Sequence, residues 1–146
     1  MMEYRIVRLE RSMLPQVAEL EKECFAEPWS ESSLELLLGG QGVGLAALCG
    51  GRVVAYVGML CVLDEGQITN LAVRSEHRRR GLGRALMSSL EELAAEKGAS
   101  LLSLEVRESN VAARGLYRAM GWQEEGVRKG FYKLPLENAI VMTKSL

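Results

Sequence analysis

The chain has very few of the residues that build metal centres and hydrolytic triads. Histidine occurs once, at His77, and the three cysteines (Cys24, Cys49 and Cys61) are widely spaced with no C-x-x-C pair. This leaves no ligand set for a histidine-rich zinc site and little material for a Ser-His-Asp arrangement, and no metal is expected. An odd cysteine count without a pairing pattern favours reduced thiols, and hence a cytoplasmic setting, over a disulfide frame. Charge of one sign is missing too: 18 Lys and Arg face 19 Asp and Glu, for a net charge of −1. A dedicated nucleic-acid binder more usually carries a strong basic excess, so no nucleic-acid partner is expected. The longest apolar run, Val53 to Leu63, is broken by Gly58 and falls short of the ~20 residues a membrane helix needs. Met1-Met2-Glu3-Tyr4-Arg5 carries no apolar leader segment, and no membrane partner is expected. A GxxxxGK[ST] phosphate loop is absent as well.

What is present fits one ordinary domain spanning 1–146. Hydrophobic residues make up 48% of the 146 and charged residues 25%, the proportions of a globular chain long enough to bury its own core. Patterning predicts a strand over Tyr4–Leu9, then a helix capped by Ser12 with Pro15 in its first turn. A short second helix follows Pro28-Trp29, capped by Ser30 or Ser32, and ends at Gly39-Gly40. Val43–Cys49 and Val53–Val62 flank Gly50-Gly51 as a hairpin, and Gln67–Val73 is a further strand. Gly81–Lys97 has the clearest helical periodicity, with Leu82, Leu86, Leu90 and Leu93 on one face and Gly98 as terminator. A strand over Leu101–Val106, a helix from Ser109 or Asn110 to Met120, and strands over Trp122–Arg128 and Ala139–Lys144 complete the chain. The mixture predicts an α/β (α+β) sandwich around a single sheet.

The most informative stretch is Leu71-Ala72-Val73 followed by Arg78-Arg79-Arg80-Gly81-Leu82-Gly83-Arg84. An apolar strand runs into a basic, glycine-containing turn that opens the best helix. The first N–H groups of a helix lack partners and carry positive dipole character, which suits a phosphate. Glycines let a pyrophosphate approach the backbone, and arginines pair with its oxygens. A solvated basic loop is the ordinary alternative. A Rossmann site fits less well, because its GxGxxG follows a first βα unit and here several strands come first.

Arg78-Arg79-Arg80-Gly81-Leu82-Gly83 also fits the R/Q-x-x-G-x-G/A signature, and the chain resembles the Gcn5-related N-acetyltransferases (GNAT). Pro28-Trp29-Ser30-Glu31, Ile68 to Val73, Leu104-Glu105-Val106-Arg107, Ser109 to Ala113, Leu116 to Trp122, Gly126 to Tyr132 and Glu137 to Met142 follow in family order. Within the family, the resemblance is to the branch that acetylates the N-terminal alanine of small-subunit ribosomal protein eighteen. It implies a mixed, mostly antiparallel sheet of about seven strands with about four helices, splayed between the fourth and fifth strands. Acetyl-CoA is the implied co-substrate and an N-terminal peptide the implied partner. Carried over by position, Leu71, Ala72 and Val73 contact the acetyl-pantetheine arm. Arg79, Arg80, Gly81, Leu82, Gly83 and Arg84 hold the pyrophosphate, Arg78 sits at the first position of this cofactor-binding signature, and Asn110 meets the cofactor further along. Glu105 matches the general base and Tyr117 the general acid, while Trp29 and Tyr132 are candidates to line the acceptor groove. Two departures stand out: Asn138 where an acidic residue is expected after Glu137, and Trp122 where phenylalanine is usual.

Pattern alone gives these residues plainer roles. Glu105 lies on the polar side of a half-exposed strand. Tyr117, Trp29 and Tyr132 read equally as core aromatics, and Asn110 reads as an N-cap. The three cysteines read as inert core, and His77 receives no role. The chemistry favours an N-terminal amine, whose pKa of ~7.7–8.0 lies roughly 2.5 units below that of Lys, worth ~3.4 kcal/mol in deprotonation. A polyamine or other small amine, or a non-catalytic CoA-sensing role, are the alternatives. Oligomeric state is left open, with a monomer as the default.

Overall fold

The computed structural model describes residues 3–146, so Met1 and Met2, the start of the segment read above as lacking a leader, lie outside the described residues. The apolar stretch in the middle of the chain forms β2 (Gly42–Cys49) and β3 (Arg52–Val62). They are joined through Gly50 and Gly51 at φ of +58° and +79°. Two successive positive φ angles match a tight hairpin turn, which explains the glycine pair. Most of both strands is buried, because helices cover both faces of the sheet here. Seven strands form one sheet in the order β1-β2-β3-β4-β5-β7-β6. The others are β1 (Arg5–Arg8), β4 (Glu65–Val73), β5 (Leu101–Arg107), β6 (Gln123–Lys133) and β7 (Leu136–Ser145).

Every neighbouring pair is antiparallel except β4 and β5. Those two run parallel and pair only from Glu65–Gln67 to Leu101–Ser103. Beyond Gln67 they part, and the sheet opens where the resemblance implies it should. β4 also carries an irregularity, since its register against β3 shifts between Val57 and Met59. Thr69 and Asn70 together face Gly58 there, and a bulge of this kind re-aims side chains.

Four helices clothe the sheet: α1 (Leu14–Cys24), α2 (Glu31–Leu34), α3 (Leu82–Glu96) and α4 (Val111–Ala119). On one face α3 buries Leu82, Leu86, Met87, Leu90 and Ala94 into a cluster that includes Val57, Leu102, Leu104, Tyr117, Trp122 and Met142. On the other, α1 and α2 bury Leu14, Val17, Leu20 and Leu34 against Val53, Tyr56 and Ala72. β5 alternates cleanly: Leu102, Leu104 and Val106 enter the α3 cluster, so Ser103, Glu105 and Arg107 point to the α1 side.

One capping expectation needs correction and another is narrowed. Ser12 does not cap α1, because a 3-10 turn over Arg11–Met13 precedes the helix and takes Ser12 inside it. Ser30 rather than Ser32 caps α2, accepting from the Ser33 N–H at 3.1 Å. Gly98 ends α3 at φ +90°, as anticipated. No helix among the described residues is long and apolar enough to cross a membrane.

Candidate active site

A cavity of about 630 Å³ occupies the opening between β4 and β5. Its β4 wall is Ile68 to Val73, an edge from which β5 pairing has been withdrawn. At one end lies the basic turn. Gly81 adopts φ +79° as the N-cap of α3, and a Cβ there would meet nothing within 4 Å. Arg79 also adopts a positive φ, +61°, uncommon for a residue with a side chain and characteristic of functional loops. The three arginines are not equivalent. Arg78 and Arg79 line the cavity, but Arg78 is folded back, its Nε donating to the Val73 carbonyl at 3.0 Å. Arg80, Gly81, Leu82 and Arg84 are not among the cavity walls, and the Leu82 side chain is buried in the core. Gly83 does line it, with Leu116 and Leu71 at van der Waals distance from a Cβ placed there.

Glu105 stands in the β5 wall. Its Oε1 accepts from Gln67 Nε2 at 3.3 Å, and its Oε2 lies 3.8 Å from Arg128 Nε. Tyr117 enters from α4, 6% exposed. Burial, with a smaller contribution from Tyr132, pushes its pKa up to about 12. Its hydroxyl makes no hydrogen bond among the described residues, and its ring packs against Trp122 at 5.9 Å. Asn110 reaches the cavity and also caps α4, accepting from the Ala113 N–H at 3.1 Å. The N-cap reading therefore holds, and its place in the cavity wall is compatible with the other.

The far mouth lies between the α1–α2 loop and the β6–β7 hairpin. Phe25, Ala26 and Glu27 face Tyr132 and Arg107 across it. Glu27 Oε1 accepts from the Lys133 backbone N–H at 2.9 Å, bridging the two sides. Arg107 secures the hairpin by donating to the Leu134 and Pro135 carbonyls and to Glu137, and its guanidinium lies 4.3 Å from the Tyr132 ring centroid. Burial, partly opposed by Arg107, pushes the Tyr132 pKa up to about 12. The Ser109 hydrogen bonds hold the Glu137 carboxyl below its ordinary range, with Arg107 adding to the effect. Asn138 accepts from the Gly130 N–H at 3.0 Å; this departure from the expected acid pins a left-handed glycine in β6.

Trp29 does not line the cavity but packs with the α1 and α2 cluster, the plainer of its two readings. Cys24, expected to be inert core, is a half-buried wall residue beside Arg78, and burial raises its thiol pKa. His77 is nearly buried and accepts or donates at Nδ1 with the Tyr4 hydroxyl, 2.9 Å away. Gly115 has open space around it, so no close approach among the described residues demands glycine there. Sequence reading assigned nothing to Phe25, Glu27, Asn70 or Arg107. Asn70 and Arg107 lie inside the segments that carried the resemblance, which was the available signal.

The comparisons with known proteins agree with this geometry. The model of the acetyltransferase (GNAT) family matches residues 14–122. The [ribosomal protein bS18]-alanine N-acetyltransferase of Escherichia coli (strain K12) is 35% identical over 139 residues, 94% of each chain. A Bacillus subtilis (strain 168) protein, provisionally named for the same reaction, is 41% identical over 94% of this chain and 91% of its own. The crystal structure of the ribosomal-protein-S18-alanine N-acetyltransferase from Escherichia coli superposes with a TM-score of 0.90 at 34% identity, covering 98% of this chain and 94% of that one. A splayed seven-stranded sheet, a glycine-arginine turn opening α3 and this breadth of similarity converge on one assignment: the chain belongs to the GNAT family of N-acetyltransferases.

Proposed function

We propose that this protein transfers an acetyl group from acetyl-CoA to the α-amino group of an N-terminal alanine, with ribosomal protein bS18 as its acceptor in the cytoplasm. The observation that carries the reading is the cavity in the β4–β5 opening, with a cationic turn at one end and a carboxylate, Glu105, in its wall. The two relatives named for this reaction, each aligned over 94% of the chain, supply the acceptor's identity.

The residues present fit the co-substrate. Left-handed Arg79 and Gly81 curl the turn around the start of α3, leaving the unpaired N–H groups of the first helical turn for a pyrophosphate. Arg79, Arg80 and Arg84 are exposed, so their charge is available beside that turn. Bound there, acetyl-CoA supplies an activated thioester carbonyl and a thiolate leaving group. Backbone N–H groups on the free β4 edge near Leu71 to Val73 are placed to polarise the carbonyl oxygen. Glu105, directly or through water, accepts the proton shed as the amine nitrogen bonds to carbon. Tyr117 donates its phenolic proton as the C–S bond breaks, and a pKa of about 12 keeps that proton in place at neutral pH. The bridge from Glu27 to Lys133 narrows the acceptor mouth, which suits a chain end such as a protein N-terminus.

Mass spectrometry tests the reading: the protein, acetyl-CoA and a bS18 N-terminal peptide beginning with alanine are incubated together. A single acetyl group on the α-nitrogen is expected. Reaction confined to polyamines or other small amines, with the peptide untouched, rejects the assignment.

A further inference from the structure

One buried charged group takes no part in the chemistry above. Glu21, on α1, is fully buried. Its oxygens receive hydrogen bonds from the Tyr56 hydroxyl, from the Trp29 backbone N–H at 2.8 Å, and twice from Asn70 Nδ2 at 2.9 and 3.1 Å. Asn70 is itself a wall residue of the cavity. A carboxylate only accepts, so it fixes which end of the Asn70 amide turns toward it: the NH₂ faces Glu21 and the carbonyl oxygen turns away. Among the described residues no donor is hydrogen-bonded to Asn70 Oδ1. Asn70 therefore brings an unengaged acceptor to the cavity wall.

Its position in the sheet gives that acceptor a use. Extending the parallel register of Gln67 with Ser103 puts Thr69 level with Glu105 and Asn70 one residue beyond, across the opening. Both side chains lie on the α1 side of the sheet, since Asn70 meets Glu21 and Glu105 points away from the α3 cluster. We propose that Asn70 Oδ1 accepts one N–H of the incoming α-amine while Glu105 receives the proton that is lost, and that Glu21 is the positioning residue that fixes the Asn70 amide. An amine held at two N–H groups has its lone pair directed along the remaining axis. Asn70 thus becomes a specificity residue for a free α-amine, a conclusion that rests on the acceptor class proposed above.

The test exchanges carboxylate and amide. In Glu21→Gln the oxygen that takes the Trp29 N–H is kept, and an NH₂ replaces the oxygen that Asn70 Nδ2 meets at 2.9 Å, setting two donors against each other. Reversal of the Asn70 amide relieves that contact and presents a donor to the amine. In the double variant Glu21→Gln/Asn70→Asp the Asp carboxylate accepts from Gln and again offers an oxygen to the cavity. Binding of the alanine-initiated peptide is compared with that of the same peptide lacking its α-amine, each in the presence of coenzyme A. Acetyl-CoA affinity is measured in parallel as a check on folding.

The wild type is expected to prefer the amine-bearing peptide. Glu21→Gln should cut that preference at least about fivefold, the scale of a lost hydrogen bond to a charged or polar group, with acetyl-CoA affinity within about twofold. The double variant should restore it. An unchanged preference in Asn70→Leu with intact acetyl-CoA binding overturns the proposal, an unchanged preference in Glu21→Gln overturns the positioning role of Glu21, and failure of the double variant to recover while it still binds acetyl-CoA does the same. If Glu21→Gln loses acetyl-CoA binding, Asn70→Leu alone carries the test. A wild type that acetylates small amines and ignores the peptide instead rejects the acceptor class itself.

Discussion

Glu105 shows how little a residue's own neighbourhood in sequence says about its work. Along β5 it is one of three alternate polar residues, and only the parting of β4 from β5 separates it from Ser103, whose level is still paired. Replacing it with Gln keeps shape and hydrogen bonding to Gln67 but removes the proposed base. The kcat for an alanine-initiated peptide should fall by about 10²–10⁴, with calorimetric acetyl-CoA affinity unchanged. Tyr117 and Tyr132 carry a different signature. With folded pKa values of about 12 against ~10 in an unfolded chain, their neutral forms contribute stability that is complete below pH ~10 and lost as pH rises through about 12. Tyrosinate absorbance at pH 11 should accordingly be well below that of the urea-unfolded protein, where a phenol of pKa ~10 is ~90% ionised. Equal absorbance in the two states at that pH would contradict the burial of both phenols.

At the scale of elements, the glycine at the start of α3 was legible because its backbone conformation demands it, and the arginines because they cluster beside it. A left-handed N-cap at φ +79° strains any residue with a Cβ. Gly81→Glu adds bulk, strain and a negative charge at the helix N-terminus proposed to take the pyrophosphate. Isothermal titration should show acetyl-CoA affinity lowered by at least about tenfold, while the far-ultraviolet circular dichroism of the sheet and helices stays as in the wild type. Other elements were less legible. β6 runs on to Lys133, past the Arg128 expected from patterning, because this edge strand is exposed along nearly its whole length. A strand buried on neither face has no alternation to read. Ser12 misled for the opposite reason: a favourable cap residue sat one 3-10 turn too early.

For the whole molecule, stability and site share one sheet. Leu86 is fully buried in the cluster that also holds Tyr117 and Leu104, so Leu86→Ala should cost about 2–5 kcal/mol. Urea unfolding followed by tryptophan fluorescence measures this, since Trp122 lies in the same cluster; a loss below about 1 kcal/mol would mean the site collapses around the smaller side chain. The sequence by itself determined the class of fold, the hairpin at Gly50-Gly51, the periodicity of α3 and the glycine-arginine turn that opens it. These depend on short-range rules: dihedral freedom, helical period, and unpaired N–H groups at a helix start. Only the tertiary structure decided which residues meet in the β4–β5 opening. Asn70 lies 49 residues from Glu21, Lys133 lies 106 from Glu27, and of the two partly buried aromatics Phe25 and Trp29, which pack on one cluster, only Phe25 also lines the cavity. Such pairings follow from how two helices and a hairpin pack around a divided sheet, and no local pattern encodes the distance between them.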